Sequence, residues 1–203
     1  MRCTKAVIYR ENIINNLMQV KSVLKPHTKI CVAVKADGYG TSALETAKIA
    51  SSLDIDYLAV ATVDEGVELR KNGIKVPILM LSLCCPEEVR VAVKNNLTPL
   101  VFDEEYIDLF EQAAALENAE EFSVHLAVDS GMGRIGCMPE RSGILALYIS
   151  EKPHLVLGGI CTHFACADSL EQTDVDYTLQ QLEKFNLACM SVEKAGINPG
   201  IKH

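Results

Sequence analysis

Apolar runs of strand length alternate along this chain with segments in which apolar residues recur every three or four positions. The first helical segment covers residues 9–24, and Pro26 ends it. The strands predicted after it lie at residues 30–35, 57–60, 76–81, 98–102, 122–128, 155–161 and from Gly200 onward. The predicted helices between them start at Thr41 or Ser42, near Asp64, at Pro86, at Pro139 and at Ser169, and one ends near Glu117. This alternation predicts βαβ units and a parallel sheet.

Two α/β architectures satisfy this pattern, a doubly wound open sheet and a (β/α)₈ TIM-type barrel. Polar residues collect where several different strands end, at Lys35, Asp129, His163 and His203. Barrel enzymes build their sites on that face from many strands, whereas an open sheet uses mainly one switch point. We therefore predict the barrel. A complete barrel needs about 250 residues, and the chain reaches residue 203 as its seventh strand begins, so the predicted barrel is incomplete.

Composition narrows the class of protein further. The net charge is −8, which argues against nucleic acid because phosphate neutralisation needs a basic surface. No apolar run approaches the ~20 residues of a membrane helix, and the N-terminus lacks the apolar segment of a secretory signal. Most of the cysteines, such as Cys31, Cys84, Cys85 and Cys161, lie in apolar runs. We therefore expect free thiols and a reducing cytoplasm. A length of 203 residues predicts a single domain.

The stretch from Ile30 to Gly40 carries the first candidate chemistry, because an apolar run ends in Lys35 and a glycine-rich turn follows at once. Burial disfavours an ammonium ion, so a lysine at the mouth of a buried strand is either paired or neutral and nucleophilic. A Schiff-base lysine needs the neutral state. Alternatively, Lys35 marks the strand end and points to solvent. Tyr39 is placed to offer its hydroxyl to a phosphate, or it packs in the turn.

A second candidate segment, residues 125–136, contains the spacing Gly131-x-Gly133-x-x-Gly136. This resembles a dinucleotide fingerprint only weakly, because a true fingerprint follows the first strand and opens a helix immediately. Arg134 is more informative, since a guanidinium among glycines at a strand mouth can donate to an anionic oxygen. The alternative is a surface salt bridge.

The third segment runs from Cys161 to Asp168. Cys161 and His163 fall on the same side of a strand and Cys166 is close, but zinc requires three or four ligands at defined spacing. A neutral His163 beside a ring-shaped cofactor fits better, and a core histidine with its hydrogen bonds satisfied is the alternative. His203 ends the chain, so its surroundings in the sequence do not define its role.

Three motifs in this order resemble the alanine racemase family, whose N-terminal domain is a (β/α)₈ barrel that binds pyridoxal 5'-phosphate. They are Val34-Lys35-Ala36-Asp37-Gly38-Tyr39-Gly40, Gly131-Met132-Gly133-Arg134 and Thr162-His163-Phe164-Ala165-x-Ala167-Asp168. The resemblance implies that Lys35 holds the cofactor as a Schiff base and acts as one catalytic base. It implies that Tyr39 holds the phosphate.

The resemblance assigns roles to four further residues. Arg134 would donate to the phenolic oxygen of the cofactor and contact the substrate, and His163 would lie against the pyridine ring. His203 would support an arginine that faces the pyridine nitrogen, and Asp168 would lie near the substrate entrance of a partner subunit. Some family members carry a carbamylated lysine where this chain has Ala127. Something else, such as a bound anion, would then have to hold Arg134.

The implied reaction is the interconversion of L- and D-alanine by two bases, with Lys35 serving the D-enantiomer. In the family the opposite base is a tyrosine from the C-terminal β domain of the other subunit of a homodimer. That domain is absent from residues 1–203, so we expect little or no racemase activity from this chain alone. The alternatives are a pyridoxal-phosphate-binding carrier or homeostasis barrel, a racemase for serine or lysine, and a non-catalytic interaction module.

Overall fold

A computed structural model describes residues 5–203. Its helices are α1 (Arg10–Val23), α2 (Lys35–Tyr39), α3 (Ala43–Ser52), α4 (Val63–Lys71), α5 (Pro86–Lys94), α6 (Glu104–Leu116), α7 (Ser142–Ser150) and α8 (Gln172–Lys194). Its strands are β1 (Cys31–Ala33), β2 (Tyr57–Val60), β3 (Ile78–Met80), β4 (Leu97–Thr98), β5 (Leu100–Val101), β6 (Phe122–Ala127), β7 (Leu155–Cys161) and β8 (Ile201–Lys202). A 3₁₀ turn over Pro139–Arg141 precedes α7. None of the helices in the described part of the chain is long and apolar enough to cross a membrane.

The described residues divide into two compact units, one of residues 5–83 and 95–97 and the other of residues 84–94 and 98–203. In the first unit β1, β2 and β3 pair in parallel in that order, and β4 is the fourth strand of this sheet. The side chains of Leu58, Ile78, Ile49 and Leu69 are buried to 1% exposure or less. This core gives the unit its own apolar centre between strands and helices.

The second unit contains the parallel sheet β5-β6-β7-β8. Strands β6 and β7 pair along their length, with a register shift between Val124 and His125. Phe110 of α6 and Leu145 of α7 are fully buried, as is Leu126 of β6. Parallel strands with intervening helices confirm the α/β class, whereas closure into a barrel stays a prediction.

Capping residues set the helix boundaries much as the sequence predicts. Ser42 is the N-cap of α3, and its side chain accepts a hydrogen bond from the Glu45 amide. Thr62 and Glu65 form a capping box at the start of α4, and Gly73 follows the C-cap of that helix with φ +82°. Such side-chain oxygens satisfy amides that would otherwise lack partners in the first turn.

Two strand predictions need correction. The strand expected over residues 98–102 is divided into β4 and β5, because Pro99 has no amide hydrogen to donate to a ladder. The strand leading to Lys35 is not buried as expected: Cys31 and Ala33 are exposed, and burial begins only at Val34. Helix α1 likewise buries none of its residues.

Arg70 of α4 ties together the backbone of two loops in the first unit. Its Nε donates to the Asn95 carbonyl at 3.0 Å, and one terminal nitrogen donates to the carbonyls of Ile74 and Val76 at 2.9 and 2.7 Å. The other terminal nitrogen donates to the Asn96 carbonyl at 3.0 Å. Partial burial lowers the pKa of Arg70. One guanidinium therefore satisfies carbonyls in the segments that precede β3 and β4.

Arg70→Lys should destabilise the first unit by about 2 kcal/mol, because an ammonium cannot reproduce the planar fork and leaves carbonyls unpaired. Urea unfolding followed by circular dichroism measures the loss. The matched control is the exchange Lys71→Arg at the next, exposed position of the same helix, which should stay within about 0.5 kcal/mol of the parent. Equal stability of the two variants would contradict this role for Arg70.

Candidate active site

Lys35 opens α2, a single turn whose backbone is left-handed. The φ and ψ angles are 50° and 49° at Ala36, 51° and 46° at Asp37, and 63° and 33° at Gly38. Tyr39 has φ 55°. For residues other than glycine, such angles cost of order 1–2 kcal/mol of conformational free energy per residue. The Lys35 side chain is partly buried, while Tyr39 is 66% exposed, so both are accessible to a ligand.

The carboxylate of Glu65 holds this strained turn. One oxygen accepts from the Ala36 amide at 2.8 Å, and the other accepts from the amides of Ala61 and Thr62 at 2.7 and 3.2 Å. The same residue completes the capping box of α4. It therefore links the lysine turn to the start of a helix. The pattern Thr62-x-x-Glu65 signals the cap in the sequence, but nothing in it signals the bond to Ala36.

The Gly-Met-Gly-Arg turn of the second unit is organised by Asp129, which follows β6. Its Oδ1 accepts from the amides of Gly131 and Gly133 at 2.9 and 3.0 Å. Arg134 is exposed, and no ion pair formed within residues 5–203 includes it. Its guanidinium is thus available to an anionic oxygen, and the alternative of a surface salt bridge gains no support.

The dinucleotide interpretation of this segment is also not supported. After the glycines the chain returns to the sheet, where the Cys137 amide donates to the Ala127 carbonyl at 2.9 Å and the Asp129 amide donates to the Cys137 carbonyl at 2.8 Å. The next helical residues begin only at Pro139. A dinucleotide fingerprint instead runs directly from strand to helix.

His163 lies in the loop after β7, next to the Gly-Met-Gly-Arg turn. The two loops are joined through hydroxyls, because Thr162 Oγ1 lies 2.7 Å from Ser130 Oγ and donates to the Val128 carbonyl at 2.9 Å. The His163 residue is exposed, as is Asp168 further along the loop. The structure therefore places His163 and the Arg134 turn on neighbouring, connected loops, and His163 is not the buried core histidine of the alternative.

His203 contacts a second imidazole, that of His125, for which the three motifs predict no role. Nδ1 of His125 lies 2.8 Å from Nε2 of His203, and the His125 residue is only 1% exposed. Burial, with a smaller effect of His203, lowers the pKa of His125 to about 3. His203 is exposed as a residue, but loss of solvent around its ring lowers its pKa as well. The pair is therefore neutral near pH 7.

The thiols take no part in an evident metal site. All the cysteines within the described residues are free, and that part of the chain holds no group of three metal-ligating side chains. Burial raises the pKa of Cys161 to about 12, so it stays a thiol rather than a ligating thiolate. Cys166 Sγ instead contacts Thr178 Oγ1 at 3.8 Å.

These observations define an α/β protein whose parallel strands deliver an amine, a guanidinium and imidazoles to their C-terminal ends. Residues 8–203 match the family model described as alanine racemase, N-terminal domain. The chain therefore belongs to the alanine racemase family, and the resemblance of its three motifs is confirmed.

Individual relatives agree with this assignment. An alanine racemase from Treponema denticola is 42% identical over 203 residues, which is 100% of this chain and 53% of the relative. A serine/alanine racemase from Enterococcus gallinarum is 33% identical over 94% of this chain and 26% of its own length. The structure of an alanine racemase from Clostridium difficile 630 in complex with cycloserine aligns with a TM-score of 0.90 and 36% identity, covering 95% of this chain and 52% of that one. The chain spans about half the length of the alanine racemases from Treponema denticola and Clostridium difficile 630.

Proposed function

We propose that residues 1–203 form the N-terminal, pyridoxal-phosphate-binding barrel domain of an amino-acid racemase that interconverts L- and D-alanine. The observation that supports this most directly is Lys35 at the start of a strained, hydrogen-bonded turn, in a chain that matches the racemase family over residues 8–203. The complete enzyme would include a C-terminal β domain. We further propose a homodimer in a reducing cytoplasm, which suits the free thiols.

The side chains at the strand ends fit pyridoxal phosphate by their chemistry. Lys35 carries an amine for the aldehyde, and the exposed Tyr39 hydroxyl and Arg134 guanidinium are donors for anionic oxygens. When bound, the cofactor supplies an electron sink that makes the Cα proton of an amino acid acidic. Lys35 would hold the cofactor and then move that proton on the D side. Tyr39 would hold the phosphate.

The residues of the second unit would orient ligand groups. Arg134 would donate to the phenolic oxygen of the cofactor and to the substrate, and His163 would lie against the pyridine ring. His203, fixed by His125, would support an arginine beyond residue 203 that faces the ring nitrogen. Asp168 would line the substrate entrance of a partner subunit. The second base, a tyrosine in the family, would also come from outside this chain.

Ala127 bears on how Arg134 is held. It is 2% exposed and its side chain is only a methyl group, so that side chain offers no hydrogen-bond partner where some family members have a carbamylated lysine. The absence of an Arg134 ion pair within residues 5–203 agrees with this. We therefore propose that an anion from solution or the ligand itself orients Arg134.

Borohydride trapping tests the proposal. The chain is incubated with pyridoxal phosphate, reduced, digested and mapped by mass spectrometry. The phosphopyridoxyl label should lie on the peptide that contains Lys35, because reduction converts the Schiff base to a stable secondary amine. Lys35→Arg should lose the label, while Lys29→Arg, at an exposed lysine shortly before β1, should keep it. A label elsewhere, or none, would contradict the proposed function.

Serine is a second candidate substrate, because a relative named serine/alanine racemase matches 94% of this chain. Absorbance titrations of the cofactor-loaded chain with each amino acid would compare the two. Tighter binding of alanine would favour the first assignment, and tighter binding of serine would favour the second.

A further inference from the structure

Gln181 lies in the middle of α8 and is fully buried, at 0% exposure. Its Oε1 accepts from the Ala165 amide at 2.9 Å. Its Nε2 donates to the His163 carbonyl at 3.2 Å and to Ser130 Oγ at 3.4 Å. Because the Ala165 amide needs an acceptor and the His163 carbonyl needs a donor, the backbone fixes which way the side-chain amide points.

The hydrogen bonds continue from Gln181 in one direction. The hydroxyl hydrogen of Thr162 is used on the Val128 carbonyl. The hydroxyl of Ser130 must therefore donate to Thr162 Oγ1, and its oxygen is left to accept from Gln181 Nε2. The chain of donors thus runs from α8 through the loop after β6 to the loop after β7. Such a buried network has one satisfied arrangement, which makes it geometrically specific.

Tyr177, one turn earlier on α8, adds a second contact. Its hydroxyl donates to the Gly131 carbonyl at 2.7 Å. A Cβ placed on Gly131 would lie 2.7 Å from the same hydroxyl oxygen, so the fit is close. Residues four positions apart lie on one face of a helix. The same face of α8 therefore contacts both the Gly-Met-Gly-Arg turn and the His163 loop.

We propose that Gln181 is a positioning residue that fixes the backbone of these two loops, and with it the placement of Arg134 and His163. Its amide acts through the Ala165 amide, the His163 carbonyl and the Ser130 hydroxyl. The consequence for ligand binding rests on the proposed function. The geometric role does not, since it follows from the contacts of α8 alone.

Gln181→Met and Gln181→Glu test this role by amide hydrogen exchange and by binding of pyridoxal phosphate itself. Methionine removes all three bonds, so the Ala165 amide should exchange at least roughly tenfold faster at every pH. Glutamate at pH 8 keeps an acceptor for Ala165 but turns an anionic oxygen toward the His163 carbonyl. This repulsion should weaken the affinity for pyridoxal phosphate about tenfold at pH 8. Protonation of the introduced glutamate returns one donor, so the affinity should recover toward pH 6.

The control is Gln180→Glu, the same substitution at the neighbouring, exposed position. Each pH is compared with this control, so that titration of the ligand cancels. The pyridoxal phosphate affinity of Gln180→Glu and the exchange rate of its Ala165 amide should stay within about twofold of the parent. Parent-like Ala165 exchange in Gln181→Met, or no affinity difference between the two glutamate variants, would overturn the proposal. If Gln181→Met does not fold, the pH recovery of Gln181→Glu decides. A parent chain that binds no pyridoxal phosphate would refute the proposed function, while the exchange comparison would still decide the role of Gln181.

Discussion

Gly136→Ala is expected to destabilise the second unit by on the order of 4 kcal/mol, the sum of a steric clash and backbone strain. A Cβ at this position would lie 2.4 Å from the Asp129 nitrogen and 2.6 Å from the Val128 carbonyl carbon, and φ is +125°. Neither contact is relieved by a rotamer change, because both neighbours are backbone atoms. The strand end and the glycine turn would have to separate, which also displaces Arg134.

Gly133→Ala is the matched control in the same turn. It too has a positive φ, of +70°, but its Cβ would meet nothing within 4 Å, so the expected cost is only about 1–2 kcal/mol. Urea unfolding compares the two variants, and exchange of the Asp129 and Cys137 amides reports on the turn itself. Equal losses of stability in the two variants would contradict the close approach of Gly136 to the backbone of Val128 and Asp129.

Acid is expected to destabilise the second unit through His125. An unfolded histidine has a pKa near 6.5, whereas burial lowers that of His125 to about 3 in the folded chain. Between these values the unfolded state binds a proton that the folded state excludes. The contribution of neutral His125 to the free energy of unfolding is therefore fully present above about pH 6.5. It falls by up to about 1.4 kcal/mol per pH unit toward pH 3. His203, whose pKa is also lowered, acts in the same direction.

His125→Gln removes one of the two imidazoles that titrate in this range. The free energy of unfolding should therefore depend less steeply on pH between pH 6.5 and 4. Urea midpoints measured from pH 8 downward give the slope. At pH 8 both histidines are neutral, so the difference between parent and variant there measures the lost packing and the lost bond to His203. An unchanged slope in the variant would mean that the buried imidazole does not titrate as described.

The α/β class and most element boundaries follow from local patterns in the sequence. Ser42, Thr62 and Pro86 mark helix starts by capping and by a missing amide hydrogen, and these effects act within one turn. The exposure of β1 was not predictable in the same way, because a local apolar run does not determine which other elements pack against it. The division at Pro99 was in principle readable, since proline interrupts a ladder.

The candidate site was predictable only in part. Lys35, Arg134 and His163 were recognised from local motifs, and their roles stay predictions. The residues that hold them are distant in the sequence from their hydrogen-bond partners. The separation is 29 residues between Glu65 and Ala36, 51 between Gln181 and Ser130, and 78 between His125 and His203. Such partners carry no local signature, because a buried glutamine in a helix looks like any other polar position until the fold places a loop against it.

The turn that begins at Lys35 has the handedness of a mirror-image peptide. At Ala36 the angles of 50° and 49° are those that a D-amino acid adopts without steric cost. A chain prepared by chemical ligation with D-alanine at this position would therefore keep the turn with less dependence on the Glu65 carboxylate. Ribosomal synthesis supplies no D-residue, and in this chain a hydrogen bond to the Glu65 carboxylate holds an L-residue in the same conformation.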